Sequence, residues 1–141
     1  MKIASRLFLL FALLFLSCTA QAQSADDKQA MQQVVEGQLS ALAVDDGNKA
    51  YSFAAPLVHQ VFPTVDVFMA MVKGGYRPVY RNSEHHFGEV APDTLGRPAV
   101  HVLLKAEDGK HWEAVYSMEQ QADGSWKIAG CYLREVPGTD V

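Results

Sequence analysis

The chain has little cysteine: Cys18 and Cys131 are its two thiols in 141 residues. Cys18 stands in a segment that reads as removable, so one thiol remains and no disulfide can form within the mature chain. The fold must be held by its core alone. Cationic residues are also sparse, 12 Lys and Arg against 16 Asp and Glu with no basic cluster, which excludes nucleic acid as a partner class. Long apolar runs are missing too. The longest covers residues 7–16, whereas a bilayer span needs about 20 residues, so the membrane is met only in transit. No nucleophile elbow, phosphate loop, zinc signature or internal repeat is present, and no cofactor or metal is implied.

What the N-terminus does have is the pattern of an export signal. Lys2 and Arg6 precede the apolar run, and small and polar residues follow, ending at Ala20-Gln21-Ala22. The expectation is a signal peptide over residues 1–22, cleaved near Ala22, that delivers a periplasmic or extracellular protein. The alternative is lipoprotein processing at Cys18, since Phe15-Leu16-Ser17-Cys18 faintly resembles an acylation site. Residues 23–141 suffice for a single domain. Loss of the two cations Lys2 and Arg6 takes the formal charge from -4 to -6. Cys131 reads as a small buried apolar residue, with a reactive thiol or an intermolecular disulfide as alternatives.

Helices are expected first, over about 26–73. Ser24, Asp26 and Asp27 supply a cap and negative charge for a first turn, and Met31, Val34, Val35, Leu39 and Leu42 then recur at helical spacing to about Val44. Asp45-Asp46-Gly47-Asn48 breaks this helix. Ala50, Tyr51, Phe53 and Ala54 start a second, which Pro56 kinks or restarts, and Pro63 stops it. Thr64 caps a third, on which Phe68, Met71 and Val72 share a face, with Gly74-Gly75 as its left-handed stop.

An antiparallel sheet is expected over about 76–135. Pro78, Pro92 and Pro98 punctuate irregular early strands, and Asp108-Gly109 and Asp123-Gly124 mark turns of a meander. Three-residue loops at 107–109 and 122–124 put Val100, Val102 and Leu104 on one face with Trp112, Ala114, Tyr116, Met118, Trp126, Ile128 and Tyr132. Two-residue loops would bury His111, Glu113 and Glu119 without partners, at a cost of several kcal/mol. Glu119 then faces Lys127, His101 faces Val115, and His111 faces Lys105. The outer face carries Leu103, Val115, Ala129, Cys131 and Leu133 among His101, His111, Glu113 and Ser117. It is too apolar for a solvated surface, so a homodimer through this face, or a terminal segment packed on it, is expected.

Helices followed by a curved antiparallel sheet with inward tryptophans resemble the cone-shaped nuclear-transport-factor-2-like, or cystatin-like, α+β fold. Gln38-Leu39, Ala41-Leu42, Asp45-Asp46, Ala50-Tyr51 and Phe53-Ala54-Ala55-Pro56 resemble the exported bacterial family called domain of unknown function 4864. Phe68, Met71-Val72, Tyr76, Pro78-Val79, Gly109, Trp112, Ala114, Tyr116, Asp123-Gly124-Ser125-Trp126, Ile128 and Gly130-Cys131 continue the same pattern in order. The resemblance implies fold and export. It brings no catalytic residues with it.

Site candidates follow from chemistry and position. Asp45 and Asp46 end a helix near the expected mouth of the cone, where a carboxylate with a raised pKa can act as a base; the plainer reading is a turn reversed at Gly47. His59 can face inward beside Tyr51 and Tyr116, or simply be satisfied or solvent-facing. Trp112, Tyr116, Trp126 and Tyr132 line a pocket or fill the core. His85-His86 cannot grip one metal ion, because strand neighbours point to opposite faces. The function expected is a non-catalytic module that binds a small apolar ligand or a protein partner. The alternatives are an isomerase or dehydratase using Asp45, Asp46 or His59 in an aromatic-lined cavity, and sequestration of another exported protein through a strand edge.

Overall fold

A computed structural model describes residues 24–138. The expected signal segment 1–22, its cleavage near Ala22 and Cys18 lie outside the described residues. The order is α1 (Ala25–Ala43), α2 (Gly47–Ser52), α3 (Pro56–Val61), α4 (Val65–Gly75), α5 (Arg77–Tyr80), then β1 (Asn82–Val90), β2 (Ala99–Ala106), β3 (His111–Gln120) and β4 (Trp126–Val136). This is the expected α+β arrangement.

The helix ends follow local chemistry. The Ser24 and Thr64 side chains accept hydrogen bonds from the amides of Asp27 and Val67, capping α1 and α4. Pro56 restarts the chain as the first residue of α3, where a missing N–H costs nothing. Two expectations are corrected. Gly74 and Gly75 do not form a left-handed stop; both belong to α4, and Tyr76 terminates it at φ -128°, outside the left-handed region. The reversal after α1 falls on Asp45, at φ 58°, not on Gly47, which begins α2 under a cap from the Asp46 side chain. The short α5 stands where irregular strand was expected, with Pro78 in its first turn.

The four strands form a meander, ordered β1-β2-β3-β4 with every neighbour antiparallel. Both late reversals hold three residues: Ala106 pairs with Lys110 across 107–109, Gln121 pairs with Ser125 across 122–124, and Gly109 and Gly124 take φ of 82° and 87°. The register follows: Leu104 opposes Trp112, Val102 opposes Ala114, His101 opposes Val115, Lys105 opposes His111, and Glu119 opposes Lys127. Trp112 and Trp126 lie on the one face that the helices cover, and the Trp126 indole N–H donates to Asp27 of α1 at 3.2 Å.

Beyond Met118 the expected alternation fails. Ser117 pairs with Gly130 but Met118 pairs with Ile128, so Ala129 is an extra residue in β4. This bulge inverts everything after it. Cys131 and Leu133, expected outside, oppose Tyr116 and Ala114 on the inner face, and Tyr132, expected inside, is on the outer face with 42% of its surface exposed. The bulge and two register shifts in β1 bend the sheet. The core lies between that inner face and the helices, with Met31, Val35, Leu39 and Leu42 of α1 packed with Val100, Val102, Leu104, Tyr116 and Ile128. Each such side chain contributes about 1.5–3 kcal/mol by leaving water.

Two arrangements shape the remaining surfaces. Residues 53–55 run parallel to the free edge of β4: the Ala55 amide donates to the Ile128 carbonyl at 2.8 Å, and the Ile128 amide to the Phe53 carbonyl at 2.9 Å. That end of the edge is already paired. On the outer face the β1–β2 connection folds over Ser117. Asp93, its side chain 1% exposed, accepts from the Ser117 hydroxyl, the amides of Leu95 and Arg97, and the Arg97 guanidinium. These donors, the Ser117 hydroxyl foremost, hold its carboxyl far below the usual range.

Candidate functional site

A cavity of about 270 Å³ lies between the helices and the bulged end of the sheet. Its wall combines Leu42 of α1, Val58 of α3, Phe68 and Val72 of α4, and Tyr116 of β3, and the bulge supplies Ile128 to Cys131 along one side. It opens beside α3, where Leu57 and Val61 line it and are each 60% exposed. The six-residue α3 is bounded by Pro56 and Pro63, so the chain presents these apolar side chains on a short, separately started turn.

The polar atoms in the wall are few. Gln38 donates to the Ala50 carbonyl at 3.2 Å, and the Tyr76 hydroxyl donates to the Cys131 carbonyl at 2.9 Å. Tyr116 is different. It is 1% exposed, and its hydroxyl has no hydrogen-bond partner among the described residues. Burial first, then the neighbouring Cys131 and Tyr76, push its pKa well above the ordinary tyrosine value, so it is a neutral donor at any physiological pH. Burial also pushes the Cys131 thiol up to about 12, which makes it a poor nucleophile.

Of the residues singled out from the sequence, Tyr116 lines the cavity. Tyr51 and His59 pack just outside it: their rings are 3.9 Å apart, Tyr51 also stacks on Phe68 at 5.2 Å, its hydroxyl donates to the Phe62 carbonyl at 2.5 Å, and His59 Nε2 lies 3.0 Å from the Ala54 carbonyl. They brace α3 against α4. Asp45 is bound to the Tyr80 hydroxyl and, at 2.7 Å, to the Arg81 guanidinium, and its carboxyl is held below the ordinary value, chiefly by Tyr80. That is the opposite of a raised base. Asp46 caps α2 through the Lys49 amide at 3.0 Å. Trp126 belongs to the packed core, and Trp112 is half-buried against it.

Sequence reasoning missed Cys131, Tyr76 and Gln38 as wall residues. The bulge puts Cys131 there, and Gly130 in mid-strand was its available signal. Among the described residues no group of three or more His, Cys, Asp or Glu side chains is placed to hold a metal, and no helix is long and apolar enough to cross a membrane.

No curated protein and no solved structure matches the chain. The family model described as Domain of unknown function (DUF4864) matches residues 24–141, a segment that contains the whole run of family-like residues from Gln38 to Cys131, and the chain belongs to that family.

Proposed function

We propose that this chain is an exported, non-catalytic module that binds one small apolar ligand in the cavity beneath α3. The observation that carries the reading is the cavity itself, whose wall residues are apolar apart from Gln38, Tyr76, Tyr116 and Cys131, with an apolar lip at Leu57 and Val61. Such a lip loses water when a ligand enters, and that loss drives binding. Export is supported by the basic start, the apolar run of residues 7–16 and the Ala20-Gln21-Ala22 ending. A homodimer through the outer face is supported by Leu103 and Tyr132, respectively 49% and 42% exposed there.

The isomerase or dehydratase reading draws no support from this geometry, because the groups it needs at about 3 Å from a substrate, Asp45, Asp46 and His59, are engaged elsewhere. The test is a thermal titration with propylbenzene. Binding raises the unfolding temperature in proportion to the logarithm of concentration. Met71→Trp, which fills the cavity from its half-buried wall on α4, abolishes the rise. An unchanged unfolding temperature in the unsubstituted protein contradicts the proposal.

A further inference from the structure

The elements that wall the cavity are not equally fixed. Leu42 of α1, Phe68 of α4, Tyr116 of β3 and Ile128 of β4 are buried members of the core. Helix α3 gives Leu57, Val58 and Val61 to the same wall, with Phe62 at its C-cap, yet none of its six residues is buried. Leu57 and Val61 are each 60% exposed, so lifting α3 away from the wall returns little apolar surface to water. A helix needs about 12 residues to be even marginal by itself, so α3 unwinds when it leaves its neighbours.

Both ends of this span are hinges. Ala55 and Phe62, the residues before Pro56 and Pro63, take non-helical backbone at ψ 161° and 84°, as a following proline ring favours, and neither proline has an amide with which to continue a preceding helix. Beyond the hinges the chain is anchored. Ala55 is fully buried and its amide donates to the Ile128 carbonyl at 2.8 Å, while the Thr64 side chain caps α4 through the Val67 amide at 3.2 Å.

Two side chains tie the span down. His59 Nε2 lies 3.0 Å from the carbonyl of Ala54, which is next to the first hinge, so this contact is local. At the far end the Tyr51 hydroxyl donates to the Phe62 carbonyl at 2.5 Å, and the Tyr51 ring is itself packed on Phe68 of α4, with centroids 5.2 Å apart. Tyr51 thus reaches from the fixed core to the far end of the movable wall.

We infer that α3 is the gate of the cavity, opening about its Pro56 end to admit and release the ligand, and that the Tyr51 hydroxyl on the Phe62 carbonyl is its latch. This rests on the proposed ligand-binding reading and adds to it a route and the residue that sets its rate. The latch is closed over both the empty and the filled cavity. Weakening it therefore speeds entry and exit equally and leaves affinity unchanged.

The experiment has two arms, both on protein purified from cells expressing all 141 residues and on its Tyr51→Phe variant, which keeps the ring on His59 and Phe68; unchanged amide shifts in β2 and β3 show that the variant folds. In the first arm, amide hydrogen exchange is followed at pH 7 without ligand. The His59 and Phe62 amides are expected to open more than about tenfold more often than those of Val35 and Leu39 in α1, with no dependence on low urea, as a local opening requires. In Tyr51→Phe they open about fivefold more often, the value of one hydrogen bond. In the second arm, NMR exchange at the Val72 and Ile128 methyls reads propylbenzene binding, and both its association and its dissociation rates rise about fivefold in the variant while the dissociation constant holds within about twofold. Amides of α3 that open only with the urea dependence of global unfolding overturn the gate. A faster dissociation with unchanged association overturns the latch, because Tyr51 then merely shapes the wall. Failure of propylbenzene to shift any cavity methyl defeats the ligand-binding reading instead, and the first arm still decides whether α3 opens.

Discussion

Tyr116 on β3 stands directly across the ladder from Cys131 on β4, although simple alternation from the Ala122–Gly124 turn would put them on opposite faces. The single extra residue Ala129 produces this pairing. It turns the Cys131 thiol toward the cavity and releases Tyr132 to the outer surface. In native protein at pH 8, Cys131 is therefore expected to react with methyl methanethiosulfonate more than about a hundredfold more slowly than an unperturbed thiol, since its pKa near 12 leaves almost no thiolate. Peptide mass mapping after timed quenching reads the modification at that residue. Labelling at the rate seen in denaturant would show that the thiol faces water and that the bulge is misplaced.

Gly37 in α1 tests how closely α1 approaches the chain after α2. A Cβ built there falls 2.5 Å from the Phe53 ring, far inside contact distance. Alanine normally stabilises a helix interior by about 1 kcal/mol relative to glycine. Overpacking by a methyl costs about 1–3 kcal/mol, so Gly37→Ala is expected to destabilise by about 1 kcal/mol in urea unfolding. In a Phe53→Ala background the same change is expected to stabilise, which isolates the ring contact as the cause.

Asp93 governs the acid limb of stability. Its folded pKa is depressed by the Ser117 hydroxyl and the Leu95 and Arg97 donors, so the ionised form is favoured by folding. The stabilisation is complete above the unfolded carboxyl value near 3.9 and is lost as pH falls below it toward the folded value. Asp93→Asn is expected to lower the unfolding temperature at pH 7 and to lower it by clearly less at pH 2, where the stabilisation is only partly lost. A parallel drop at both values would show that the carboxylate charge is not what fastens the β1–β2 connection to the sheet.

The reversals were legible because turn chemistry and unpaired charge act locally: Asp108-Gly109 and Asp123-Gly124 demand left-handed glycines, and only three-residue loops keep Glu113 and Glu119 off the face the helices cover, Glu113 pairing instead with His101 and Arg134 on the outer face. The caps at Ser24 and Thr64 were legible for the same reason. The bulge was not, since alternation carries no mark of an added residue except Gly130 beside it. Helix α5 was hidden because Pro78 reads equally as a strand break and as a first-turn residue. Asp45 resembled a catalytic carboxylate until its partners Tyr80 and Arg81, more than thirty positions away, closed on it. Tyr116 alone among the candidates reached the cavity wall, because it precedes the bulge and keeps its register.

The central claim is that the space between α3, α4 and the bulged end of β4 holds a molecule. Native mass spectrometry of the protein recovered from the cells that make it, sprayed under conditions that keep the fold, measures this most directly. The predicted result is a single small neutral adduct per chain, retained at low collision energy and lost in Met71→Trp. A bare chain mass in every charge state would contradict the account.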